Sequence, residues 1–169
     1  MQAPVRPIRI AVIGERQASA HLVEAAEAVG REVARRGGVL ICGGMSGVME
    51  AAARGASAAG GVVVGILPTE TAEEGNPFVT IPLPTGMGAA RNVIIVRSAE
   101  AIIAVGGAYG TLSEIGYALN LNVPLIGLET WTVSRAGLTG SDPIPRAETP
   151  EAAVDWAWAA ALERRGRNP

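Results

Sequence analysis

Residues 8–14 read Ile-Arg-Ile-Ala-Val-Ile-Gly, and residues 39–44 read Val-Leu-Ile-Cys-Gly-Gly. Each is a short apolar, β-branched run that stops at glycine. Between them, His21–Arg36 carries Leu22, Ala26, Val29 and Val33 at helical spacing. An unbroken apolar run is what a strand buried on both faces needs, and an intervening helix returns the chain to a parallel neighbour. The alternation continues outward from this unit. Ser46–Ala59 is expected as a helix whose small residues suit close packing on a sheet, and Val62–Leu67 as a strand closed by Pro68. A polar segment, Thr69–Pro77, leads to a short strand over Phe78–Leu83. Helix Ala89–Ala99, strand Ala101–Val105, helix Leu112–Leu121 and strand Pro124–Leu128 follow. Thr149-Pro150-Glu151 opens a last helix with a capping hydroxyl, a proline at the first position and a carboxylate behind it. The pattern predicts one α/β domain over residues 1–169, a Rossmann-like, doubly wound and mostly parallel sheet in three α/β/α layers.

Composition narrows the chemistry. The chain has 169 residues, 49% hydrophobic and 18% charged, a formal net charge of −2 and a pI near 5.5. All 14 basic side chains are arginines; lysine is absent. That excludes a pyridoxal Schiff base, Schiff-base aldol chemistry and a P-loop lysine. A single histidine, His21, and a single cysteine, Cys42, cannot build a structural zinc site, and no metal or cofactor is expected. His21 has no nucleophile elbow to serve, and reads as a surface or cap residue. Cys42, inside its strand, reads as a small buried hydrophobe. The acidic balance gives no electrostatic footprint for nucleic acid, and Arg164, Arg165 and Arg167 read as a solvated helix end. No apolar run is long enough to cross a membrane. With no export signal and no cysteine pair, the expectation is a cytoplasmic protein.

In an open α/β sheet, ligands bind beyond the carboxyl ends of the strands. Two glycine-rich loops fall there. Gly43-Gly44-Met45-Ser46-Gly47 follows the second strand, and Gly106-Gly107-Ala108-Tyr109-Gly110-Thr111 follows Ala101–Val105. Each leads into a helix N-terminus, where free N–H groups and the helix dipole favour an anion. Gly43, Gly44, Ser46, Gly47, Gly106, Gly107, Tyr109, Gly110 and Thr111 are therefore candidate phosphate or ligand contacts. A dinucleotide is disfavoured, because Gly14-Glu15-Arg16-Gln17-Ala18-Ser19 is not G-x-G-x-x-G.

Glu114 admits two readings. Thr111-Leu112-Ser113-Glu114 fits a capping box, in which the glutamate folds back to the N–H of Thr111. A carboxylate one turn into a phosphate-binding helix also lies near whatever the phosphate carries, and can assist glycosidic cleavage through an oxocarbenium-like state. Arg91 stands in the first turn of its helix, where a cation is disfavoured. It either binds phosphate at the strand ends or pairs with a surface carboxylate. Trp156, Trp158, Val154 and Leu162 are expected to dock the last helix.

The two loops together resemble motifs of the LONELY GUY family, whose members were often called lysine decarboxylases. Gly43–Glu50 is similar to its GG-x-x-G-x-M segment, Gly106–Glu114 to its PGG-x-GT-x-x-E segment, and Arg91-Asn92 to its Arg-Lys. The resemblance spans residues 8–130, and Thr85–Asn92 looks most like a subgroup that includes molybdenum cofactor carrier proteins. It implies a Rossmann-like homodimer or homotetramer. Glu114 and Arg91 would then match the catalytic residues of a nucleoside 5′-monophosphate phosphoribohydrolase, which releases free base and ribose 5-phosphate. The alternative it implies is a carrier that binds a pterin phosphate without turnover. Both ligands are flat heterocycles bearing a phosphate. Without lysine, pyridoxal-dependent decarboxylation is excluded by chemistry. Gly106, Ala108, Asn92 and Ser113 depart from the family pattern, and the first turn, Gly14-Glu15-Arg16, is bulkier and more charged than is usual.

Overall fold

The computed structural model describes residues 6–137, 140 and 142–167. Six strands form one sheet: β1 (Arg9–Gly14), β2 (Val39–Cys42), β3 (Val62–Leu67), β4 (Ile81–Pro84), β5 (Ala101–Val105) and β6 (Leu125–Leu128). Their order is β4-β3-β2-β1-β5-β6, and every pairing is parallel. The order reverses between β1 and β5, so the switch point lies where Gly14 pairs with Val105.

The pleat of β1 divides the core. Ile10 and Val12 point to one face, under α1 (Ala20–Arg35), α2 (Val48–Ala58) and α5 (Pro150–Arg167). Ala11 and Ile13 point to the other, under α3 (Asn92–Ser98) and α4 (Tyr109–Asn120). That gives the three expected layers, since side chains alternate along a strand. The small face of α2 serves a helix as well as the sheet. A Cβ on Gly30 would stand 1.9 Å from Ala52 O, and one on Gly55 2.0 Å from Glu27 O, so α1 and α2 touch backbone to backbone.

Several local expectations shift. The fourth strand begins at Ile81 rather than Phe78, because Asn76 turns the chain first: its Oδ1 accepts the Phe78 N–H at 3.1 Å and its carbonyl accepts that of Val79. Pro82 and Pro84 then blunt this edge strand against further pairing. Helix Ala89–Ala99 resolves into a 3₁₀ turn, Gly88–Arg91, followed by α3. Val154 packs into the core and Trp156 and Trp158 lie against it, but Leu162 is exposed. The arginine-rich end of α5 is not simply solvated. Arg165 pairs with Glu100 and donates to the carbonyls of Arg6 and Pro7, and Nη1 of Arg164 is buried without a partner. Burial would raise the Glu100 carboxyl. The Arg165 hydrogen bonds, the Arg9 N–H and the charges of both arginines outweigh it and hold the group below the usual carboxylate range.

Candidate functional site

A cavity of about 590 Å³ opens at the switch point, beyond the carboxyl ends of β1 and β5. Its walls come from the first turn (Gly14–Gln17), the start of α2, the 3₁₀ turn before α3, and the start of α4. Arg91, Glu114, Gly110 and Thr111 all line it. The remaining candidates, Gly43, Gly44, Ser46, Gly47, Gly106, Gly107 and Tyr109, do not reach its surface.

The two glycine loops do different work. At the start of α2, the N–H of Val48 is bonded to the carbonyl of Glu15 at 3.0 Å, and Ser46 Oγ donates to the carbonyl of Arg16. Gly47 (φ 70°, ψ −129°) lies so close that a Cβ would meet those two carbonyl oxygens at 2.3 and 2.5 Å. The chain's own first turn therefore takes the place expected for an anion. Gly43 makes room for a side chain: a Cβ there would sit 2.5 and 2.7 Å from the two Nη atoms of Arg91. This loop seats the first turn and Arg91.

The second loop is open. Helix α4 starts at Tyr109 with Ala108 as its cap and no side-chain capping bond. Leu112 N–H reaches Ala108 O at 3.0 Å, while the N–H groups of Tyr109, Gly110 and Thr111 find no acceptor among the described residues. Gly106 and Gly107, at φ 56° and 126°, fold the loop tightly under Leu22 and Thr111. A brace from the segment after β6 holds it from outside. Thr130 Oγ1 donates to Gly106 O, Trp131 Nε1 donates to Ala108 O at 3.3 Å, and the Trp131 ring lies 5.7 Å from that of Tyr109. Tyr109 is 80% exposed and turned to this brace.

The capping-box reading of Glu114 fails on geometry. Because α4 begins two residues before Thr111, Glu114 falls a full turn inside, where its side chain is 6% exposed and makes no bond to Thr111. Burial raises its carboxyl to about 7, against the opposing pull of Arg91. Arg91 is 5% exposed, so the surface-pair reading fails as well. Its Nη1 stands 3.9 Å from Glu114 Oε1, which is an ion pair but longer than a hydrogen bond. Among the described residues its guanidinium makes no hydrogen bond, and its Nε is fully buried without a partner. Burial lowers the Arg91 pKa, Glu114 opposes that, and the like charge of Arg16 adds to it.

Asn92 and Ser113, two of the departures from the family pattern, touch each other. Asn92 Nδ2 donates to Ser113 Oγ at 2.8 Å and fastens α3 to α4. His21 is exposed and lies 2.5 Å from Glu129. Cys42 is buried, which raises its thiol to about 11 and leaves it protonated. Among the described residues no cluster of His, Cys, Asp and Glu could hold a metal, and no helix is long and apolar enough to cross a membrane.

The first turn, which the sequence marks as bulky and charged, was not among the candidate contacts. Gly14–Gln17 lines the cavity, although it lacks a dinucleotide fingerprint. The signal was its position: it ends the strand at which the sheet order reverses.

A parallel sheet with an uncapped helix start and a buried arginine beside a cavity at its switch point defines a Rossmann-like domain. The chain belongs to the SLOG cluster4 family, whose model matches residues 7–154. An uncharacterised protein of Archaeoglobus fulgidus is 50% identical over 112 residues, 66% of this chain and 74% of that protein. A molybdenum cofactor binding protein from Rippkaea orientalis has the same fold, with 34% identity and a TM-score of 0.83 over 92% of this chain and 98% of that one. The molybdenum cofactor carrier protein of Chlamydomonas reinhardtii is 32% identical, with a TM-score of 0.77 over 94% and 99% of the two chains.

Proposed function

We propose that this protein binds a pterin phosphate of the molybdenum cofactor type in the switch-point cavity and releases it unchanged. The observation that carries the reading is Arg91. A buried guanidinium with five N–H donors and no hydrogen-bond acceptor is costly unless an anion completes it. The free N–H groups at the start of α4 supply a second half for a phosphate site, and the hydroxyl of Thr111 stands beside them. Met49 and Pro68 give the cavity apolar surface suited to a flat ring. Likeness along nearly the whole chain to proteins named for binding or carrying this cofactor points the same way. Protein purified from cells that make the cofactor should carry stoichiometric molybdenum and pterin phosphate, by metal analysis and mass spectrometry. Arg91→Met should carry neither. A wild-type protein that emerges empty, and takes up no pterin phosphate in titration, sinks the reading.

One observation favours a second reading. A carboxyl held near 7 beside the cavity is poised to exchange a proton near neutral pH. If the ligand is a nucleoside monophosphate, water would add at the ribose anomeric carbon as the glycosidic bond breaks. Glu114 would take a proton from that water and pass it to the departing base, so that the water ends divided between the new ribose hydroxyl and the base N–H. This phosphoribohydrolase reading predicts release of free base from at least one of a panel of nucleoside monophosphates. Glu114→Gln should stop turnover while retaining the phosphate.

A further inference from the structure

The first turn brings a second cation to the cavity. Arg16 lines the cavity mouth with an exposed side chain, and among the described residues its guanidinium has no carboxylate within ion-pair distance. Its backbone is fixed from three sides. Its carbonyl accepts the Ser46 hydroxyl, the preceding Glu15 carbonyl accepts the Val48 N–H, and Gly47 packs against both. The side chain is therefore presented at the mouth by the very loop that sequence reading assigned to phosphate. Glu15 is the other charge on this turn. Its Oε1 lies beside Gly106, 3.0 Å from where a Cβ there would stand.

Two guanidiniums share this cavity, and they sit close enough for their like charges to act on each other. Arg91 has Glu114 as an ion-pair partner; Arg16 has none among the described residues. A single phosphate held by α4 and Arg91 leaves the cation at the mouth unused. We infer that Arg16 is a specificity-determining residue that binds a second anionic group on the ligand, so that a ligand carrying two anionic groups is held more tightly than one carrying a phosphate alone. The inference rests on the reading that the cavity takes a phosphate at all. A diphosphate spans both cations: its inner phosphate meets the α4 N–H groups and Arg91, and its outer phosphate meets Arg16 at the mouth. Guanidinium suits this task, being permanently charged and able to present two parallel N–H donors to each phosphate.

The test uses inorganic phosphate and pyrophosphate as probes, titrated calorimetrically into the full chain. Wild type should bind pyrophosphate about tenfold more tightly than phosphate, the size expected of one charge-assisted contact at a half-open site. Arg16→Ser should bring the two affinities within about threefold while leaving phosphate nearly unchanged, and Arg16→Lys should restore most of the preference. Arg97→Ser removes the same charge from an exposed position outside the cavity and should change nothing. The contact of Arg16 with the first loop is through its backbone carbonyl, which accepts the Ser46 hydroxyl, so each variant keeps it. Two results overturn the inference while leaving the phosphate site standing: equal affinities in wild type, or a preference that survives Arg16→Ser. Binding of neither probe by wild type removes the phosphate site and this inference with it.

Discussion

Gly43–Gly47 and Gly106–Thr111 look alike as sequence and do opposite things as structure. Both are glycine-rich, both follow a central strand, and both enter a helix. At the first, the chain itself completes the helix start: Glu15 O accepts the Val48 N–H and the backbone of Arg16 covers Gly47. At the second, the first three N–H groups of α4 find no acceptor among the described residues, and a brace from Thr130 and Trp131 keeps the loop in place. A glycine loop at a helix start is thus a permissive feature. What occupies it depends on which other segment arrives there. The first loop is a seat for Arg91 and the first turn, and through them it shapes the site without lining the cavity.

The contrast breaks most sharply at Gly47. Gly47→Ala must push a methyl into two carbonyl oxygens at a backbone angle that favours glycine. It should cost about 3 kcal/mol or more in urea unfolding. Gly110→Ala meets nothing within 4 Å and should leave stability equal or raise it by up to about 1 kcal/mol, with its effect falling on the ligand. Equal losses from the two would mean that the loops play the same part.

Arg91 tests whether the open loop suffices for an anion. Arg91→Met keeps the stem and removes the charge. Phosphate affinity by calorimetry should fall about 100-fold. An unchanged constant would assign the anion to the α4 N–H groups alone.

Glu114 carries a pH dependence that the first loop lacks. Its folded value of about 7 stands above the ordinary 4.5, so the folded chain holds a proton that the unfolded chain releases. The resulting stabilisation is full below about pH 4.5 and is lost as pH rises to about 7. Relative to Glu114→Gln, wild type should therefore lose on the order of 2 kcal/mol across that window. Thermal melts of both proteins at closely spaced pH values would show it; parallel curves would place Glu114 in a wetter setting.

The smallest effect is expected at Ser46. Its hydroxyl ties down Arg16 O at 3.3 Å and does not line the cavity. Ser46→Ala should cost about 0.5 kcal/mol and leave phosphate affinity alone. A marked loss of affinity would return the first loop to direct ligand contact.

Much of this was legible in the sequence because it is local. Apolar runs ending in glycine gave the strands, helical spacing gave α1, and Thr149 caps its helix as read, its hydroxyl accepting the Ala152 N–H. Arg91 and Glu114 were both visible as candidates. Their bland alternatives, a surface pair and a capping box, were local too, and they failed because burial and the start of α4 are set elsewhere. The first turn stood out as bulky and charged, but without a dinucleotide motif it was not counted among the ligand contacts. The part-buried ion pair of Arg165 with Glu100 joins residues 65 apart, and no spacing rule reports it.

By itself the sequence determined the alternation of strands and helices, the exclusion of lysine chemistry, and the presence of two glycine loops at strand ends. These follow from side-chain volume, backbone freedom and residue chemistry, which each segment carries with it. Only the tertiary structure decided which loop stays open and that Arg91 is buried without a hydrogen bond. It also decided that a second arginine stands at the mouth. Those depend on the reversal of strand order between β1 and β5, which brings residues 14–17 and 108–114 to the same crevice.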